Sequence, residues 1–544
     1  MIRRPAVPAL ALVVLLLGLT LLLPQTANVY HVRVDGSDGS CDGLADRPAS
    51  SGNPCALLSV QAGINKIALP SCNQGSDLVI HAGAYNGRVS IPSCRQTSGS
   101  ERTVIEGDPN VPRTSIIIDG GAADEETIDS IGGNNSSTRS TRLTFRHMNI
   151  RPGQQAGILL RGEHDDVVIE DILWDTMPDL CCGRDASPFP AALVAAPLTE
   201  AITVRDTVAI GNNNITLSGV PGTDAQFVWA GGLAALSKAS YVQRNVVTDM
   251  LGSFTGGNWT QGIVEGNHVK NSACHGDDGG MQGYNSVDWT IRRNVFEAFY
   301  CDGDGNGFGD AWITVRTTCP SDIVGCPPNQ PVHHTANALV YNNIFIGRAG
   351  APRNHRRNAF QLRTDGSPAW YNVDSKSSTF WNNIVITNNG KNVEFGRIHP
   401  VQFNKCPTLG IVVDYNLWFN NALSTAGVAD TGANFFASSA TCPGPYNTHS
   451  LFNLDPQLDA SFAPVAGSRS CSGASTFINP VDGDVSDPWM GALQGACAGG
   501  APPRPPGSIG RHPMISLLLG LRRPEELALF PIPAGEAVVW EEKQ

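Results

Sequence analysis

Hydrophobic and polar positions recur along the chain as one short phrase: apolar, any, apolar, one or two polar residues, an Asn or Asp, then apolar again. It reads RLTFRHMNI to Asn149, VVIEDIL around Asp171, AITVRDTVAI around Asp206 and SYVQRNVV around Asn245. It continues as GIVEGNHV around Asn267, WTIRRNVF around Asn294, ALVYNNIF around Asn343, STFWNNIV around Asn383 and IVVDYNLWF around Asn416. The apolar side chains alternate, which is the period of a strand. The polar pivots lie 22, 35, 39, 22, 27, 49, 40 and 33 residues apart. A unit of 22 residues is one rung of a coil of short parallel strands, each rung about 4.8 Å above the last. The longer intervals are one rung plus a loop, or two rungs. An Asn at the pivot suits a left-handed corner and bonds to its neighbours above and below, which predicts a ladder.

Composition agrees with this pattern. Of 544 residues, 58 are Gly and 37 Pro, while charged residues make up 16%, against roughly 25% in an ordinary soluble domain. Helical bundles and coiled coils need the opposite balance. A net charge of −12 argues against a nucleic-acid partner,. Seven of the 37 basic residues are Lys and the rest Arg, the residue that grips carboxylates with two parallel hydrogen bonds,.

The chain has fourteen Cys. Their order suggests local pairs: Cys41 with Cys55, Cys72 with Cys94, Cys274 with Cys301, Cys319 with Cys326, Cys406 with Cys442, and Cys471 with Cys497. Cys181 and Cys182 form a bridge with each other or pair elsewhere. Arg3 and Arg4 precede an apolar run from Ala9 to Leu23, with the small Ala27 following. That run is short for a membrane span and right for a secretory signal over residues 1–27, an uncleaved anchor being the alternative. Residues 28–497 then form the coil domain, and 498–544 a Pro/Gly-rich linker and tail. The expected setting is extracellular or periplasmic, with no membrane span after signal cleavage, and the chain a monomer.

At this point the chain resembles the right-handed parallel β-helix superfamily, the pectate-lyase-like fold. The resemblance rests on YHVRVDGSDGSCDG…NPCALLSVQAGINKI, then SDLVIHAGAYNGRVSI, and at the far end LFNLDPQLDASFAPVAGS with DPWMGAL. It covers about residues 30 to 495 and implies an all-β, single-stranded parallel solenoid with a short N-terminal capping helix. These motifs mark architecture and are weak for function, since lyases, hydrolases, epimerases and non-enzymes share them.

Candidate chemistry gathers in the longest interval, between Asn294 and Asn343. In CDGDGNGFGDAW, the oxygen-bearing residues Asp302, Asp304, Asn306 and Asp310 occupy positions 1, 3, 5 and 9 of a calcium loop, with Gly307 at 6,. Position 12 is Ile313 instead of a bidentate Glu, so Ca2+ needs ligands from another rung, and a metal-free turn is the alternative. Just before it, CHGDDGGMQGYNSVDW carries His275, Asp277, Asp278 and Gln282. His275 is the first candidate base and Lys270 the second, with Asp278 beside them. Alternation in AWITVRT and AFQLRTD sets Ile313, Val315, Phe360 and Leu362 inward, leaving Arg316, Gln361 and Arg363 outward. Stacked rung on rung, Gln282, Arg316 and Arg363 form a polar and cationic stripe, joined by Arg356 from the loop RNHRRN.

An Arg stripe on an acidic protein suits a carboxylated or sulfated extracellular polysaccharide. The leading expectation is a polysaccharide lyase acting on a uronate-containing glycan by β-elimination. A glycoside hydrolase using Asp277 with Asp278, or Asp302, is the nearest rival. A non-catalytic glycan-binding coil is the alternative of another class.

Overall fold

The computed structural model describes residues 28–68, 76–93, 102–121, 126–133, 140–153, 156–175, 191–195, 200–211, 226–230, 237–238, 240–249, 254–257, 259–271, 273–275, 280–284, 286–302, 311–317, 338–347, 358–364, 378–387, 412–420, 448–452, 454–493 and 497. Across these residues the chain winds as a right-handed parallel β-helix. Every pairing between its named strands is parallel. Three parallel sheets make up the coil, and we call them A, B and C in the order the chain visits them; the described strands of C run from Val89–Ile91 to Asn358–Thr364. One late turn shows the order: Trp289–Arg292 lies in sheet A, Val295–Asp302 in sheet B and Ala311–Thr317 in sheet C. The next turn repeats it with Ala338–Tyr341, Ile344–Gly347 and Asn358–Thr364.

The alternation read from sequence fills the interior. Val264, Ile291, Val340 and Phe380 stack from sheet A, and Val269, Phe296, Phe345 and Val385 from sheet B, all buried in one continuous cluster. Phe296 and Phe345 stack at 5.1 Å, and Phe345 and Phe380 at 5.8 Å. The first pair is in register, as the parallel rung requires,; the second crosses the core between sheet B and sheet A,.

The ladder exists at the later pivots, and the left-handed corner lies one residue before each of them. Asn267 donates from its backbone N and its Nδ2 to Asn294 Oδ1, at 3.0 and 2.9 Å. Asn294 does the same to Asn343, Asn343 to Asn383, and Asn383 to Asn416. Asn245 joins from the preceding rung, Thr207 caps one end, and Ser450 the other. All six Asn are buried, so each amide replaces water for its neighbours' polar groups. The left-handed conformation belongs to the residue before each ladder Asn: Arg244, Gly266, Arg293, Asn342, Asn382 and Tyr415 have φ between 53° and 66°. On the earlier rungs the corner residues are His147, Asp171 and Asp206. Of the nine pivots, Asp171 and Asp206 are therefore corner residues. Asn149 follows the ladder position, which Met148 and Ile172 fill with apolar side chains.

The N-terminal cap matches the resemblance. Val29–Val32 pairs with Asp77–Ile80 and opens sheet A. The helix Val60–Ala68 places Val60, Ile64 and Ile67 on the core, closing the first rung. Among the described residues no helix is long and apolar enough to cross a membrane. Cys41–Cys55 and Cys471–Cys497 are disulfides, as their order suggested, with Cα atoms 4.9 and 5.0 Å apart. Cys274 and Cys301 face each other in register on neighbouring rungs. The other proposed pairs, the signal segment 1–27 and the tail 498–544 lie outside the described residues.

Candidate functional site on sheet C

The three corners of the coil differ in length. Among the described residues from Gln243 to Asn420 the A-to-B corner holds two residues, such as Arg293–Asn294, Asn342–Asn343 and Asn382–Asn383. The ladder fixes it, since an added residue would break the amide register. Length variation therefore goes to the other two corners, and both border sheet C. Residues 303–310 and 348–357 connect sheet B to sheet C; residues 318–337 and 365–378 connect sheet C to sheet A. Inserted chain thus enters on both edges of this one sheet.

Sheet C carries the sequence-predicted substrate positions. Met281, Ile313 and Val315 are buried, as their alternation required, with Phe360 and Leu362 in register with Ile313 and Val315. The intervening positions form two columns. One aligns Gln282, Thr314 and Gln361; the other aligns Tyr284, Arg316 and Arg363. The anticipated stripe of Gln282, Arg316 and Arg363 is thus split: Arg316 faces Arg363, while Gln282 sits one column away. Alternation fixes which face a residue takes, but a shift of two residues leaves the face unchanged, so periodicity could not set the column. Tyr284 was missed for the same reason.

His275 ends the strand Ala273–His275 and is in register with Asp302 on the next rung, both leading toward sheet C. Asp277, Asp278, Asp304, Asn306, Asp310 and Arg356 lie outside the described residues. Among the described residues, no group of three or more His, Cys, Asp or Glu is gathered to hold a metal ion. Lys270 belongs to sheet B. Its Nζ lies 3.2 Å from Glu297 Oε1, whose other oxygen is 2.9 Å from His268 Nε2. The ladder interval of 27 carries Lys270 onto Glu297, so this pairing was readable in retrospect.

Other titratable groups serve the fold. Ser130 Oγ and His164 Nε2 are 3.0 Å apart but fully buried, and burial pushes the His164 imidazole down to about 4. On sheet C's early rungs, Arg88 and Arg161 clasp the buried Glu126 and Asp129. On late rungs of sheet A, Arg292 and Arg293 bind Glu265 together with Asp482, Asp484 and Asp487 of the C-terminal segment. That segment lies over sheet A at these rungs.

No family model matches the chain, and no curated protein does. Solved structures with a comparable coil include pectate lyase Pel9A, at 11% identity over 86% of this chain and 97% of that one, TM-score 0.41. An alginate lyase from Paenibacillus sp. str. FPU-7 aligns at 11% identity over 63% and 97%, TM-score 0.37. A GH87 alpha-1,3-glucanase from Streptomyces thermodiastaticus strain HF3-3 aligns at 13% identity over 66% and 60%, TM-score 0.34. Likenesses of this size carry no argument about activity, and the β-helix rests on the strand register itself.

Proposed function

We infer that the protein is a secreted polysaccharide lyase that binds a uronate-containing glycan along sheet C. The observation that supports this most is the register of Arg316 with Arg363. Like charges directly opposite on neighbouring strands, about 4.8 Å apart, destabilise a sheet unless an anion lies between them. A uronate carboxylate is such an anion, and guanidinium groups pair it with parallel hydrogen bonds. Gln282 and Gln361 in the adjacent column, with Arg356 from the loop, supply hydrogen bonds to ring hydroxyls.

In the elimination, Arg316 and Arg363 neutralise the carboxylate and stabilise the charge that develops when the C5 proton leaves. His275 takes that proton, with Asp278 three residues on in the chain, since an imidazole is the side chain best matched to base duty near neutral pH. The electron pair forms the C4–C5 double bond, and the C4–oxygen bond breaks to release the glycosidic oxygen, which takes up a proton. Lys270, the second candidate base, is engaged with Glu297 on sheet B. Calcium, held by Asp302, Asp304, Asn306 and Asp310, would add positive charge at the carboxylate.

Incubation with pectate, alginate and glycosaminoglycans tests the reading. Ultraviolet absorbance from unsaturated ends is expected on at least one substrate, and its loss in EDTA would establish the calcium role. New reducing ends without that absorbance would mean hydrolysis. Binding without any depolymerisation would overturn both enzyme readings.

A further inference from the structure

The outer face of sheet B is covered on its late rungs. Val295, Ile344, Ile384 and Leu417, aligned in one column, pack with Met490 and Ala492 of the C-terminal segment. At the earlier end of that cover the apolar column gives way to charge, with His268 facing Val295 and Lys270 facing Glu297. A cleft of about 220 Å³ opens there, lined by His268, Lys270 and Glu297 on one side and Ser461, Phe462 and Leu493 on the other.

Two features set this cleft apart from a frayed edge of the cover. First, both oxygens of Glu297 are engaged, one by His268 and one by Lys270. Burial pushes this carboxyl up, yet the hydrogen bonds from His268 and Lys270 outweigh burial and hold it below the ordinary Glu value. It remains an ionised acceptor beside a half-exposed ammonium. Second, Phe462 has φ 63°, a left-handed conformation that a bulky aromatic residue rarely adopts,. Asp459 builds the turn, accepting from the backbone N of Ser461 and of Ala463 at 2.8 and 3.0 Å. The turn sets the Phe462 ring edge-on to His268, centroids 5.8 Å apart at 75°. The turn also packs Phe462, partly buried, against the apolar cover, which fixes the ring at the cleft.

An aromatic ring, an ionised acceptor and an ammonium donor around a space of this size match a sugar ring. Its C–H face lies on an aromatic surface, while vicinal hydroxyls donate to a carboxylate and accept from an ammonium. We propose that this cleft binds one hexopyranose unit of a glycan, as a second carbohydrate site separate from sheet C. Only the carbohydrate class of the ligand is taken from the reading above.

Saturation-transfer NMR on the full chain with methyl α-D-glucopyranoside, methyl α-D-mannopyranoside and methyl α-D-galactopyranoside tests this. Transfer to the ring protons of at least one glycoside is expected. Phe462→Ala and Lys270→Met should each raise its Kd by roughly tenfold, the scale of one lost stacking or charged contact, while Arg316→Ala leaves it unchanged. Should Phe462→Ala fail to fold, Lys270→Met decides alone, because that side chain is half exposed and its stem is retained. Absence of transfer from all three glycosides, or transfer insensitive to both variants, overturns the proposal. Loss of transfer in Arg316→Ala would put the sugar on sheet C and likewise overturn it, leaving the lyase reading intact. Transfer that survives alongside a failed depolymerisation assay would sink the lyase reading alone.

Discussion

Two columns of this coil use the same parallel register to opposite ends. On sheet A, Glu106, Arg146, Glu170 and Arg205 face one another in turn, charge alternating with each rung. Arg146 Nε lies 2.5 Å from Glu106, and Arg205 Nε donates to Glu170 at 2.8 Å. On sheet C, Tyr284, Arg316 and Arg363 align, so two positive residues occupy facing positions. A solenoid multiplies whatever a column holds. Where signs alternate the face is neutral and closed; where one sign repeats, the face gathers potential that an anionic polymer can use. The bordering corners reinforce the difference, since the two connections that join sheet C to its neighbours are long while the A-to-B corner stays at two residues on successive late rungs.

The largest expected effect comes from making sheet C resemble sheet A. Arg316→Glu would set opposite charges against each other at Arg363. Depolymerisation should then fall by at least about 100-fold, the scale of removing one electrostatic stabiliser, while the unfolding midpoint holds or rises. An unchanged rate would remove this column from the site. Next comes the corner that keeps every column in register. Asn294→Ala removes the acceptor of Asn267's backbone N and Nδ2 inside the core. It should lower stability by about 2–4 kcal/mol, since buried polar groups lose their partner on both sides of the ladder. Urea unfolding measures this, and a loss under about 1 kcal/mol would mean that the ladder is replaceable. The smallest effect belongs to sheet A's own column. Glu170→Gln leaves Arg146 and Arg205 facing a neutral side chain, yet all three are partly solvated. A loss below about 1 kcal/mol and an unaltered rate are expected.

Much of the fold was legible because a solenoid repeats itself. The inward residues, the Asn ladder from Asn245 to Asn416 and two disulfides followed from local pattern, and the capping helix from the resemblance to the β-helix superfamily. The errors were small shifts with physical causes. Asp171 and Asp206 look like ladder residues because Asp also tolerates the left-handed corner one position away,, whereas Asn149 lies one residue past the ladder position and two past the corner at His147. Gln282 was assigned to the Arg column because a two-residue slip preserves the face,. Lys270 stood as a candidate base because a lone Lys in a dense region says nothing about its partner, which is Glu297 one rung on.

The sequence by itself determined the rung: strand alternation, the buried amide at the corner, and the excess of Arg over Lys. Each is written in consecutive residues, or repeats at an interval short enough to recognise. Only the tertiary structure decided which residues share a column, which sheet receives the insertions, and that Phe462 closes a cleft over His268. Those relations join residues tens to hundreds apart, and they depend on the summed lengths of the intervening loops. No local propensity encodes that sum, so register and cover are settled only when the whole coil is wound.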